Sequence, residues 1–310
     1  MEMKNCRTAY GESLVRLGAD DPNVVVLEAD LGKSTMSNLF GDAYPERYFQ
    51  MGIAEQNMAS VAAGLALTGK TAFINSFAVF TSGRAYDQIR SSICIPSLNV
   101  KVCGSSAGLS DYGDGKTHQS IDDIALMRVL PHMTVLSPVD AVETAQMVKA
   151  MGEDKHPCYI RINRIDLPVY TDPNQEYHIG KMNKIRDGKD VVVFASGIMV
   201  SHAVQAAELL ETEGISVRVV NVSTIKPLDT DALWSYCEGV KGVVTAEEHN
   251  IYGGLGSAVC EALSPSRLPI RLLGINDSFG RSAENYTLLL KHYHLMPEDI
   301  AEKVRSVLQD

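Results

Sequence analysis

The fold is decided by Gly52-Ile53-Ala54-Glu55-Gln56-Asn57-Met58-Ala59-Ser60-Val61-Ala62-Ala63-Gly64-Leu65. After Asn57 this stretch is mostly Ala, Val, Gly and Leu, the surface of a small, apolar helix made to be buried. Glu55 falls in its first turn, beside glycine and alanine. A carboxylate there can simply face the positive end of the helix dipole. In a desolvated pocket, a carboxyl instead has a raised pKa and can hold or share a proton near neutral pH. The second behaviour belongs to a general acid or base.

Outward from this helix, apolar β-rich runs alternate with helical patterns. Residues 24–27, 72–75, 98–102, 133–136 and 159–162 read as short buried strands. Residues 8–17, 55–67, 83–93, 122–128 and 138–151 read as helices. Such alternation predicts an α/β protein with a parallel sheet covered by helices on both faces. The pattern loosens between Asp166 and Lys189, where Pro, Asp, Asn, Gly and Lys concentrate. That composition marks a linker, placed at 169–188 between a first domain at 1–168 and a smaller one at 189–310. In the second domain, 191–195, 217–221, 242–246 and 270–273 read as strands, and 202–213, 256–263 and 297–308 as helices.

Two further segments carry groups suited to chemistry. In Asn75-Ser76-Phe77-Ala78-Val79-Phe80, Phe77 and Phe80 leave a strand and precede a helix. Rings at a sheet end can stack a flat heterocycle, or can simply fill the core. Gly104 to Gln119, GSSAGLSDYGDGKTHQ, is too rich in Gly and Ser to be anything but a loop, and it carries Asp114 and His118. Titratable groups on a loop at a sheet end are where sites sit.

Composition bounds the function. The chain has 310 residues, 45% hydrophobic and 21% charged, with net charge -10. No basic excess exists to neutralise nucleic-acid phosphates or an anionic membrane. The N-terminus is polar with no apolar segment behind it, and no apolar run approaches the roughly 20 residues of a membrane span. A cytoplasmic location is expected. The six cysteines form no metal spacing and read as reduced, mostly buried thiols. Gly254-Leu255-Gly256 lacks the third small residue of a dinucleotide fingerprint, since Val259 stands there.

Taken together, GIAEQNMASVAAGLALTGK, NSFAVFTSGRAYDQIR and DGKTHQSIDDIALMR resemble the pyrimidine-binding domain of the transketolase family. Glu247-Glu248-His249, Gly253-Gly254-Leu255-Gly256 and Phe279-Gly280-Arg281-Ser282 resemble that family's C-terminal domain. The resemblance covers nearly the whole chain. It implies a thiamine-diphosphate-fold pyrimidine-binding domain followed by a smaller α/β C-terminal domain. It also implies that the cofactor carries the chemistry while the protein tunes it. Glu55 matches the glutamate that protonates the aminopyrimidine, Phe80 the aromatic that stacks on it, Phe77 the lining of the same pocket, and Asp30 a residue near the cofactor. Asp114 and His118 resemble contacts to sugar hydroxyls and a sugar phosphate, with His118 also catalytic. Arg7, Ser34 and Arg164 resemble phosphate-binding positions, and the arginine fork suits phosphate oxygens. Arg7 and Arg164 could equally form surface ion pairs, and Ser34 a helix N-cap. The family's loop histidine falls at about Gly104 here, a departure that puts ordinary substrate handling in doubt.

Full-length members also carry a Gly-Asp-Gly signature with a downstream Asn that holds the metal and the diphosphate. Gly113-Asp114-Gly115 has no Asn between Gly115 and Asn163, so it is a lookalike inside the substrate loop. No metal site is expected on this chain. The resemblance then implies a split enzyme acting on sugars or sugar phosphates, as in the pentose phosphate interconversions. A separate N-terminal subunit would hold Mg²⁺ and the diphosphate in an α2β2 assembly. Two other readings share the domain order. One is the β-subunit of a 2-oxoacid or acetoin dehydrogenase E1 component. The other is a scaffold that kept the fold and lost the chemistry.

Overall fold

The computed structural model describes residues 2–309. Its first sheet has seven strands, in the order Thr224–Lys226, Thr134–Leu136, Cys158–Arg161, Val100–Ser105, Thr71–Phe77, Val24–Glu28 and Tyr48–Gln50. All neighbours are parallel except the pair Thr224–Lys226 and Thr134–Leu136. The strands read as unbroken apolar runs because both faces are covered. Val24 and Val26 enter a core with Tyr10, Leu14, Met147 and Met151 from the helices Cys6–Asp20 and Ala141–Glu153. Val25 and Leu27 enter the opposite core with Met58, Ala59 and Ala62. The helix Glu55–Leu67 spans the predicted residues, and its alanines let it lie close to the sheet.

The second sheet runs Ile270–Ile275, Gly242–Asn250, Val191–Ala195, Val217–Asn221 and Asn183–Arg186, with only the last strand antiparallel. One apolar core runs without a break from the first domain's helices into this sheet, joining Met147 and Val148 to Val193, Val219 and Met199.

Three differences from the sequence pattern bear on the layout of the sheets and the site. The helix expected at 83–93 is a short α-turn, Tyr86–Gln88, between two wide π-helical turns, Phe80–Arg84 and Ile89–Cys94. Such turns recur at functional sites. The polar stretch 169–188 contains the edge strand Asn183–Arg186, whose half-exposed residues carry no apolar signal. Thr224–Lys226, from the second half of the chain, completes the first sheet. The six cysteines are free, five of them buried. Among the described residues, no helix is long and apolar enough to cross a membrane.

Candidate functional site

The residues singled out above gather past the carboxyl ends of the parallel strands, the edge where open α/β sheets bind ligands. Gly52, at φ +68°, makes the turn that follows the strand Tyr48–Gln50. Glu55 comes next, at the first position of its helix. Its side chain is 5% exposed and pairs through Oε1 with Arg84 Nη1 at 3.1 Å. The carboxyl expected among apolar groups is therefore in direct contact with a guanidinium. Arg84 closes the wide turn that Phe80 opens, and its guanidinium rests 4.1 Å from the Phe80 ring centroid. Phe80 and Phe77 lie nearly parallel, centroids 6.0 Å apart and planes 14° apart. His118 meets both edge-on, at 5.3 Å and 6.2 Å. Glu55, Arg84, Phe80, Phe77 and His118 thus form one chain of contacts. A cleft of about 460 Å³ opens beside it, lined by Ile53, Ala54, Glu55, Gln56, Asn57 and Arg84. Sequence reasoning passed over Arg84; its place four residues after Phe80 was the available signal.

The substrate-type residues form a second group. Asn5 caps the first helix by accepting from Arg7 N and Thr8 N, which fixes where Arg7 emerges. Arg7 Nη1 donates to the Ser34 carbonyl at 2.9 Å. Ser34 lies inside the helical turn Gly32–Thr35, whose N-cap is Leu31, so it is not the cap. Burial, and secondarily the charge of Arg164, weakens Arg7's hold on its proton. Two carboxylates, Asp111 and Asp166, act in the opposite direction. Arg164 pairs with Asp111 at 2.7 Å. Burial pushes the Asp111 carboxyl up; Arg164 opposes this and Asp114 adds to it. Asp111 was not singled out from sequence, where nothing separates it from Asp114 in the same loop. Asp114 itself is exposed.

Asp30 is exposed and left-handed, at φ 62°, and its N–H donates to Gln50 Oε1 at 2.9 Å. Gln50 Oε1 also accepts from Gly52 N at 3.2 Å, tying Asp30 to the turn before Glu55. Beneath, Glu28 organises the same segment. Its carboxyl accepts from Ala29 N, Leu31 N, Thr35 Oγ1 and Ser37 Oγ, and burial pushes it up to about 7 against those hydrogen bonds.

A side chain at Gly104 has no room, since a Cβ there would lie 2.2 Å from the Tyr159 hydroxyl. That hydroxyl is fixed by donation to Asp123 Oδ2 at 2.7 Å. Packing thus holds the departure at this position in place. Among the described residues, no group of three or more His, Cys, Asp or Glu is arranged to hold a metal ion.

A buried acid beside stacked rings and a pair of arginines thus lie on the same sheet edge. Family comparison gives this arrangement a name. The profile of the transketolase pyrimidine-binding domain matches residues 2–169, and that of the transketolase C-terminal domain matches 180–300. A chain described as the C-terminal section of a transketolase, from Methanocaldococcus jannaschii, is 43% identical over 99% of this chain and 97% of its own length. One of the subunits of an apulose-4-phosphate transketolase from Phocaeicola vulgatus is 35% identical over 96% of this chain and 95% of its own. A split-gene transketolase solved as an inactive β4 tetramer superposes with TM-score 0.90 at 45% identity, covering 98% of both chains. The chain belongs to the transketolase family.

Proposed function

We propose that this chain is one subunit of a thiamine-diphosphate-dependent transketolase that transfers a two-carbon ketol unit between sugars or sugar phosphates. The observation that carries this reading is the contact chain Glu55–Arg84–Phe80–His118, which couples a buried carboxylate to an aromatic platform. The residues present fit the aminopyrimidine end of the cofactor: a buried acid beside two nearly parallel rings. When bound, thiamine diphosphate would supply the nucleophilic chemistry needed at a sugar carbonyl. Glu55 would hold a proton at its carboxyl against the pyrimidine ring. Phe80 would carry the ring's flat face, with Phe77 lining the pocket behind and Asp30 nearby. Arg84, half exposed and resting on Phe80, would be the group that gives way.

His118 would move a proton at the sugar, and Asp114 would bind a sugar hydroxyl. Arg7 and Arg164, with Ser34 steering Arg7 through its carbonyl, would bind an anionic end. A phosphorylated substrate agrees with the name of the Phocaeicola relative. A separate N-terminal subunit would supply Mg²⁺ and the diphosphate site, in an α2β2 assembly in the cytoplasm. The inactive β4 state of the split-gene neighbour supports a need for that partner. The domain limits of this reading are 1–168 and 189–310.

The test is a ketol-transfer assay with thiamine diphosphate and Mg²⁺, on the chain alone and with the product of the neighbouring gene. Activity is expected only in the pair, and Glu55→Ala should abolish it while leaving the fold intact. Near-normal turnover of Glu55→Ala with its partner refutes the assigned role, and activity of the chain alone refutes the need for a partner.

A further inference from the structure

The loop from Gly104 to Gln119 carries Asp114 and His118; Ile162 and Arg164 of the first domain hold Ala107, Ser110 and Asp111, and the second domain holds it at several further points. A Gly- and Ser-rich segment has little conformational preference of its own, so its contacts decide its shape. Glu248, buried on the strand Gly242–Asn250, reaches into it. Its Oε1 accepts from Leu109 N at 2.7 Å and from the Tyr286 hydroxyl at 2.7 Å, and its Oε2 accepts from Asn163 Nδ2 at 3.1 Å. Gly108, at φ +67°, passes so close that a Cβ would lie 2.4 Å from the Glu248 carboxyl. Farther along, Ala283 N donates to the Tyr112 carbonyl at 2.9 Å, and Gln119 Nε2 donates to the Arg281 carbonyl at 3.0 Å. Arg161 Nη2 bridges the carbonyls of Glu248 and Ser120, at 2.8 Å and 3.3 Å.

We infer that Glu248 is a positioning residue: the second domain sets the conformation of the substrate loop, and Glu248 is its main anchor. The inference rests on the reading of Asp114 and His118 as substrate contacts. Removing the carboxylate strands the Leu109 N–H, the Tyr286 hydroxyl and one Asn163 N–H in a dry interior, which favours a rearranged loop. Small misplacements of positioned groups are costly to turnover. Glu55, Phe77 and Phe80 stand on other segments, make no hydrogen bond to Glu248 and meet the loop only through the edge of His118, so cofactor binding is spared.

The experiment compares wild type, Glu248→Ala, Glu248→Gln and Gly108→Ala. Each is assayed with the N-terminal partner for ketol transfer, and alone for amide hydrogen exchange over 105–121. Glu248→Ala is expected to lower kcat/KM for the sugar by about 10- to 100-fold, with thiamine diphosphate half-saturation unchanged within about twofold. Glu248→Gln keeps an acceptor for Leu109 N and recovers most of that loss. Amides of the loop exchange faster in the Ala variant and return toward wild type in the Gln variant. Gly108→Ala pushes the loop off an intact Glu248 and should reproduce the Ala phenotype; it decides the matter should Glu248→Ala fail to fold. Unchanged kcat/KM in Glu248→Ala and Gly108→Ala overturns the inference, as does an equal loss of cofactor affinity or an absence of recovery with Gln. An inactive wild-type pair instead counts against ketol transfer, and the exchange data then decide: unchanged loop exchange in Glu248→Ala overturns the inference.

Discussion

Glu143 is a carboxyl whose ionisation is paid out of fold stability, and Glu143→Gln should expose it. The residue is buried on the helix Ala141–Glu153 and accepts from Val139 N at 2.7 Å and from Asn221 Nδ2 at 3.0 and 3.2 Å. Burial pushes it up from 4.5 to about 7, against the pull of those hydrogen bonds. Below 4.5 the folded and unfolded chains both carry the proton, and the group costs nothing. Between 4.5 and about 7 the unfolded chain releases it while the folded chain retains it, so stability falls as pH rises. Above about 7 the loss is complete. Glutamine cannot ionise and escapes the loss. Asn221 Oδ1 is buried without a partner, so the amide can turn over and accept from the new Nε2. Linkage then predicts that stability relative to wild type improves by about 2.5 kcal/mol between about pH 5 and pH 8. Urea unfolding of the isolated chain at both pH values measures this difference. A variant-minus-wild-type difference that does not move with pH refutes the reasoning, because it means the folded carboxyl titrates like an unfolded one.

Two other substitutions test the site's packing and electrostatics. Arg84→Ala should cost about 1–3 kcal/mol, since the guanidinium is half exposed but its removal leaves the buried Glu55 carboxyl without that partner. By clearing the face of Phe80 it should tighten thiamine diphosphate half-saturation about threefold in the assembled enzyme; weakening by about tenfold would make Arg84 itself a cofactor contact. Gly104→Ala should cost about 1–3 kcal/mol through overpacking against Tyr159, with part of the loss recovered in a Gly104→Ala/Tyr159→Phe double variant. A single variant that melts with wild type would show that the strand shifts freely to admit a side chain.

The sequence made the first sheet and the Glu55 helix legible because their signals are local. A run such as Val24-Val25-Val26-Leu27 can only be a strand buried on both faces, and an Ala-rich helix with one acid at its start has few places to go. What escaped was fixed by partners far along the chain. Thr224–Lys226 is too short to announce itself and finds its place only against Thr134–Leu136. Asn183–Arg186 is a polar edge strand that looks like a connector. The partners of Arg84 and Asp111, Glu55 and Arg164, are each more than twenty residues away. Glu55, Phe77, Phe80 and His118, picked out on separate motifs, lie in one chain of contacts through Arg84. The guanidinium on Glu55 has no counterpart in the sequence pattern.

The buried acids also show why the two domains act as one. Glu143 reaches from the first domain to Asn221 of the second, and Glu248 reaches from the second to Leu109 of the first. Glu248 too is pushed up to about 7 by burial, with Arg161 opposing. Neither carboxyl could stay buried if the domains parted, because each would lose hydrogen-bond donors supplied from across the boundary. The core that runs unbroken from Met147 to Val219 adds an apolar cost to the same motion. A hinge between the domains is therefore a poor source of catalytic motion in this chain. Arg84 and Asp114, by contrast, are exposed side chains that no such interdomain contact among the described residues holds.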